Sequence, residues 1–251
     1  MANDTVELVS SFISPWTLKV VWALAFHKIQ YSNVSYTPIA GEGWLRRKTG
    51  KNNGLISVPV MFTPEGTLMD SFDIAQWADA HSQRDDGVKL FPAGQLEAIH
   101  KWNKASDDIL DHWRALLFSR LQIDKEARRQ MMPPILNSLG PITDWLSSRR
   151  IGALRAKYDS FSKASSATKA EKALQDLRAA VEANNGYVLG ALSYADITMA
   201  VAANAIEPLG PPISKAPAPM RQPCKPEWRT QYADIVEYRD RIVKEHYPKN
   251  H

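Results

Sequence analysis

The spacing of apolar residues changes period twice within the first forty positions. Val6 to Ser10 is a short run of β type, and Pro15 stands where a helix can begin, because its fixed φ and missing N–H are tolerated at a first helical position. From Val20 to Phe26 the chain is apolar on every side, which predicts a helix to about Lys28 that is buried on both faces. Tyr31 to Thr37 then alternates, with Ser32, Val34 and Tyr36 on one side and Tyr31, Asn33, Ser35 and Thr37 on the other, as a half-buried strand does. Together these make a compact βαβ unit.

Gly41 to Gly50 holds a short polar helix or loop around Trp44 and Leu45. Val58 to Phe62 reads as a strand, Pro64-Glu65-Gly66 as a turn and Thr67 to Met69 as a second strand, so the pair should form a hairpin. Ser71 opens an amphipathic helix ending near His81, with Ile74, Trp77, Ala78 and His81 at helical spacing. The order βαβ followed by ββα predicts a small α/β domain over residues 1–82.

Residues 83–94 are polar and rich in turn signals, Asp85-Asp86-Gly87 and Phe91-Pro92-Ala93-Gly94, and read as a linker. Beyond it, over 95–251, the pattern is helical. Ile99, Trp102, Ile109, Trp113, Leu116 and Leu121 keep a helical period, and the segments 125–155 and 165–184 are rich in Ala, Leu, Lys, Arg and Glu. In Leu192-Ser193-Tyr194-Ala195-Asp196-Ile197, Ser193 and Asp196 can form a reciprocal cap, with Leu192 and Ile197 as its hydrophobic staple, so a buried helix should follow through Ile206. The proline-rich stretch from Pro208 to Pro226 cannot be regular helix and should wrap the surface before a last helix near Glu227 to Glu245.

Composition narrows the function classes. With 251 residues, 44% of them hydrophobic, the chain can bury a sizeable core. It shows neither a secretion-type leader nor an apolar run long enough for a bilayer, and its one cysteine, Cys224, cannot form an intrachain disulfide; a cytoplasmic protein, with no membrane partner, is the expectation. The net charge of +4 is spread along the chain, and the runs Arg46-Arg47-Lys48 and Arg149-Arg150 accompany no nucleic-acid motif, so they read as solvated faces. Six histidines show no HExxH spacing, and one cysteine cannot build a thiolate zinc site, so no metal is expected. GxSxG, phosphate-loop and GxGxxG patterns are missing as well.

What remains is a series of short motifs at element boundaries. Ser14-Pro15-Trp16 stands at a helix start, Val58-Pro59 enters a strand, Asp70-Ser71 enters the next helix, and the Ser193–Asp196 box opens a later one. Taken singly, Ser14 and Ser71 are helix N-caps and Pro59 is an ordinary trans proline. In order and spacing, however, they make the chain resemble the soluble glutathione transferase family over nearly its whole length, and the Ser-Pro-aromatic start is similar to that of the plant Tau class.

The resemblance implies an α/β thioredoxin-like N-terminal domain, an all-α C-terminal domain and glutathione as co-substrate. In such proteins a serine hydroxyl near the positive end of a helix donates to the glutathione sulfur, which implies Ser14, with Ser11 and Ser10 as fallbacks, in a role that favours the thiolate of a group whose free pKa is about 8.5. Pro59 would be cis and the Val58 main chain would pair with the cysteinyl part. Asp70 would receive the γ-glutamyl amino group and Ser71 its carboxylate. Ser57 stands where many members carry Lys or Gln for the glycyl end, leaving Lys51, Asn52 or Asn53. Phe12, Trp16 and Trp113 would line an acceptor pocket between the domains, and the protein would be a homodimer. The implied activity is attack of glutathione on small hydrophobic electrophiles or peroxides, a detoxification chemistry. The alternatives are a non-catalytic glutathione- or ligand-binding protein of the same fold and, less favoured because Cys is missing at position 14, a glutathione-dependent thiol transferase or reductase.

Overall fold

The computed structural model describes residues 6–132, 141–158, 166–211, 213–214 and 216–248. Its N-terminal region runs Glu7–Ser10 (β1), Pro15–Phe26 (α1), Ser32–Ser35 (β2), Glu42–Thr49 (α2), Val60–Thr63 (β3), Gly66–Leu68 (β4) and Ser71–Ala80 (α3). The four strands form one mixed sheet in the order β2-β1-β3-β4, with β1 parallel to β2 and antiparallel to β3, and β3 antiparallel to β4. The predicted hairpin is β3–β4. Its first strand begins at Val60, after Pro59, since a proline nitrogen cannot join the ladder.

Side-chain alternation sorts the sheet's two faces. Leu8 and Met61 are cross-strand partners that pack with Val20 and Leu24 of α1 and Ile74 and Ala78 of α3. Val9 and Val60, the next pair, face the other way with Leu45 of α2, Tyr36 and Ile56. Each fully buried Leu or Ile here contributes about 2 kcal/mol through the area it removes from water. The outer strand β2 is more exposed than its alternation suggested: Val34 is half-buried, and its neighbours Ser32, Asn33 and Ser35 are exposed at the sheet edge.

Helix α1 explains its all-round apolar composition. Val20 and Leu24 rest on the sheet side, while Trp22, Ala23 and Phe26 belong to the core of the helical part. That part comprises Leu96–Ile123 (α4), Lys125–Gln130 (α5), Pro141–Lys157 (α6), Ala167–Ala183 (α7), Tyr194–Ala202 (α8), Trp228–Gln231 (α9) and Ala233–His246 (α10). Of the predicted helical segment 125–155, residues 133–140 lie outside those described. Helix α4 spans about 42 Å at 1.5 Å per residue and packs along α8, all nine of whose residues are buried. The thioredoxin-like sheet region followed by helices is the expected fold class.

Two carboxylates hold the connections. Asp196 forms the capping box with Ser193, accepting from its amide at 2.9 Å, and also accepts from the Val188 amide at 2.8 Å and from the Tyr238 hydroxyl of α10 at 3.0 Å. Asp79, at the end of α3, accepts from the Leu90 amide at 2.6 Å and lies 3.2 Å from Nε2 of the buried His27. The stretch read as a polar linker is therefore anchored, with Leu90 fully buried and its carbonyl accepting from the Tyr194 amide at 2.8 Å. The last predicted helix is broken at Tyr232 into α9 and α10.

Between the two parts lies a buried ion. Lys19 of α1 is fully buried, and its ammonium donates to Ser106 Oγ at 2.7 Å, Asp107 Oδ1 at 2.8 Å and Asn103 Oδ1 at 3.4 Å, all on α4. Removing one partner of a buried pair leaves the other without its counter-charge. Lys19→Met is expected to destabilise the protein by about 2 kcal/mol, below the usual 3–5 for such a change because the Asp107 side chain keeps 35% exposure and some hydration. A urea midpoint equal to that of the wild type would contradict this.

Candidate active site

The strand directions bring the boundary motifs together. Because β1 and β2 run parallel and β3 opposes both, the end of β1, the end of β2, the start of β3 and the end of β4 all lie at one end of the sheet. Across that end, from one sheet edge to the other, come Tyr36 after β2, the Ser11–Ser14 turn after β1, Val58-Pro59 before β3 and Asp70-Ser71 after β4. A cavity of about 280 Å³ lies there, lined by Ser11, Ser14, Val58, Pro59, Asp70 and Ser71 on the sheet side and closed by α4 and α6 on the other.

Ser14 is the N-cap of α1 and half-buried. Its Oγ accepts from the Thr17 amide at 3.4 Å, and no acceptor for its own proton lies among the described residues, so the hydroxyl can donate to a ligand at the positive end of the helix. Ser11 is buried and lines the same cavity. Ser10 does not line it; it faces β2, donating to Asn33 Oδ1 at 2.6 Å. The Val58–Pro59 peptide is cis.

At the far edge Asp70, and not Ser71, is the N-cap of α3, its Oδ1 accepting from the Phe72 amide at 2.7 Å. One carboxylate oxygen is thereby engaged, and the other has no hydrogen-bond partner among the described residues. Ser71 is the first helical residue, buried, with its carbonyl accepting from Tyr194 Oη at 3.3 Å.

The opposite wall comes from residues that sequence reasoning did not assign. Asp107, Asp111 and Arg114 follow one another at i, i+4 and i+7 on one face of α4. That spacing was the available signal, polar positions set beside an otherwise apolar helical stripe. Asp107 accepts from Trp16 Nε1 at 2.8 Å as well as from Lys19. Arg114 donates to Asp111 at 2.5 Å and is sandwiched by the Trp16 and Tyr158 rings at 4.6 and 4.4 Å. Burial dominates here: it holds the Arg114 guanidinium below its usual range, and pushes the Asp111 carboxyl and the Tyr158 phenol up.

The three aromatic residues assigned to one acceptor pocket are divided. Trp16 lines the cavity just described. Phe12, 69% exposed, lines a second, apolar cavity of about 220 Å³ on the other side of the helix start, beneath the proline-rich stretch; Trp113 borders both. Lys51, Asn52 and Asn53 are exposed and line neither. Among the described residues no group of three or more His, Cys, Asp or Glu could hold a metal ion, and no helix is long and apolar enough to cross a membrane.

The sheet is thioredoxin-like, and its strand ends gather a helix-capping serine, a cis proline and an acidic-Ser pair, with helices closing over them. The model of the glutathione S-transferase N-terminal domain matches residues 13–81, which include Ser14, Val58, Pro59, Asp70 and Ser71. Among solved structures, the chain is similar to a glutathione S-transferase of Methylobacillus flagellatus with glutathione bound, at 18% identity over 98% of each chain and a TM-score of 0.58. It is similar to a glutathione transferase family member of Pseudomonas fluorescens with bound glutathione at 17% identity, 97% of each chain and 0.58. A Tau class enzyme of mango, Mangifera indica, matches at 12% identity over 99% of this chain and 94% of that one, with 0.51. At these identities the likeness is one of fold. A sequence comparison with the curated proteins found no match. Residues 13–81 thus match the glutathione S-transferase N-terminal domain, and over the rest of the chain the likeness to glutathione transferases is one of fold.

The Asp70 geometry separates a cap from a charge. Asp70→Ala should cost about 1 kcal/mol by losing the N-cap, whereas Asp70→Asn, which keeps a capping oxygen, should stay within about 0.5 kcal/mol of the wild type. Chemical denaturation of both variants checks this; equal losses would mean that the cap is not what Asp70 contributes.

Proposed function

We propose that this protein activates the thiol of glutathione as a thiolate that attacks small hydrophobic electrophiles, forming a conjugate, or peroxides, which two glutathiones reduce to an alcohol and water with formation of glutathione disulfide, with Ser14 as the group that keeps the sulfur ionised. The observation that carries the reading is the placement of Ser14: at a helix start, with an available hydroxyl proton, in one cavity with Val58, Asp70 and Ser71. The tripeptide would lie across the sheet end with its γ-glutamyl group at Asp70-Ser71 and its cysteinyl main chain beside Val58. The thiol then falls near the α1 start, where the helix dipole and the Ser14 donor both favour the anion.

Ser14 does not attack. It donates a hydrogen bond to the thiolate, and the sulfur attacks an acceptor held against Trp16, Trp113 and the inner walls of α4 and α6, so catalysis is positioning and electrostatic stabilisation. Ser11 is the second candidate for the donor, since it lines the same cavity. A homodimer in the cytoplasm completes the reading and is checked by sizing and by localisation of the tagged protein.

A hydrogen bond to a charged group contributes about 1.5–3 kcal/mol, so Ser14→Ala should lower kcat about 10- to 100-fold near neutral pH with glutathione affinity within about twofold. The rate should recover as pH rises toward the ordinary thiol pKa of about 8.5, because the thiolate then forms without help. The measurement is turnover against pH with a panel of chromogenic electrophiles and peroxides. An unchanged Ser14→Ala profile transfers the role to Ser11, and retention on glutathione resin with no turnover across the panel would leave a binding protein alone.

A further inference from the structure

We propose that Lys157, at the end of α6, binds the glycyl carboxylate of glutathione from the helical side of the cleft. This rests on the reading of the cavity as a glutathione site. With the γ-glutamyl group at the β4 edge and the cysteinyl part at the central Val58, the third residue must run toward the β2 edge, where Tyr36, Pro38 and Leu55 form the wall. A group that receives the terminal carboxylate has to be a hydrogen-bond donor near Tyr36, and a cation binds it most strongly.

The N-terminal region offers little there. Ser57 lacks reach and charge, and Lys51 is exposed and lines neither the cavity nor the hollow that adjoins it at Leu55. Arg46 is committed to Glu42 at 2.8 Å, the Gly54 carbonyl at 2.8 Å and the Lys51 carbonyl at 3.1 Å. Arg114 lies deeper, held by Asp111.

Lys157 fits the requirement from just beside the cavity: it lines the adjoining hollow with Glu42, Arg46 and Leu55, and Leu55 lines both. Its side chain is only 8% exposed, with the ammonium 3.5 Å from Tyr36 Oη and 3.1 Å from Glu42 Oε2. An ammonium has three protons to donate, and these contacts take two. Glu42 also serves Arg46, so two cations share one carboxylate and the cluster keeps a surplus positive charge beside the cavity wall. Tyr36 is no competitor for the anion, because burial and the Glu42 carboxylate push its phenol up to about 12 and it stays a neutral donor. Tyr36 and Lys157 thus present two donors to a carboxylate at the end of the tripeptide. Glutathione bound in this way spans both parts of the chain, and its glycine becomes a recognised element.

The test compares glutathione with γ-glutamylcysteine, which lacks the glycine, by calorimetric binding and by KM and kcat. In the wild type, glutathione should bind about tenfold more tightly, as expected for a hydrogen bond between charged groups at a partly hydrated site. Lys157→Met should abolish that preference, weakening glutathione about tenfold while leaving γ-glutamylcysteine affinity and kcat within about twofold; Lys157→Arg should restore most of it. Glu42→Gln separates ligand binding from a strut: freed of its competitor, Lys157 should bind glutathione as well as before or better. The assignment is overturned if Lys157→Met weakens both thiols equally or neither, or if Glu42→Gln does the same harm as Lys157→Met. Wild-type protein that binds neither thiol overturns the glutathione reading and this assignment with it.

Discussion

The buried ammonium of Lys19 fixes the spacing on which the site depends. It joins α1, which lies on the sheet, to α4, which forms the far wall, through Ser106, Asp107 and Asn103. Trp16, three residues earlier on the same helix, donates to the same Asp107 carboxylate. Two donors from the first turns of α1 therefore converge on one group of α4, and Ser14 caps that helix just before them. Any slip of α4 along α1 would leave a charge in the interface without its partner, which is costly enough to hold the register.

This interaction was the least legible in the sequence. The stripe from Val20 to Phe26 correctly announced a helix buried on both faces, but periodicity counts Lys as a surface residue, and nothing local says that its partner lies far along the chain. The same contrast recurs elsewhere. The Ser193–Asp196 box was readable because its partners are three residues apart, whereas Tyr238 and Val188, which complete the coordination of Asp196, come from distant segments. The stretch over 83–94 has turn composition, yet Asp79 and Tyr194 pin Leu90 into the interior. The proline at 59 and the break at Tyr232 shifted element ends where the apolar pattern simply continued.

For the site, sequence motifs marked the residues that sheet topology assembles, since Ser14, Val58 and Asp70 each stand at a strand end or helix start where chain direction reverses. The α4 and α6 walls carry no such punctuation. Arg114 and Lys157 look like any solvated cation in a helical stretch, and only the packing of aromatic rings and carboxylates around them reveals their burial. The division of Phe12, Trp16 and Trp113 between two cavities follows from the turn before α1: Phe12 and Trp16 flank the Ser14-Pro15 start, which itself lines both spaces.

The pairing of these charges bears on how a thiolate would be held. Near the α1 start, Lys19 and Arg114 are each matched by a carboxylate, Asp107 and Asp111, so their fields largely cancel at the cavity. The surplus positive charge sits at the β2 edge, around Lys157 and Arg46, where the proposed glycyl carboxylate would neutralise it. On the proposed reading, the sulfur consequently meets no uncompensated cation and depends on short-range terms, the helix start and the hydroxyl of Ser14. Such terms are oriented and fall off within a turn of helix, so they favour an anion at one position and not throughout the cavity. Binding the tripeptide by its charged ends, far from the sulfur, leaves the acceptor to the apolar part of the opposite wall, Trp113, Leu117, Ile151 and Leu154, while the charges on that wall stay paired, as a mostly apolar pocket for hydrophobic electrophiles requires.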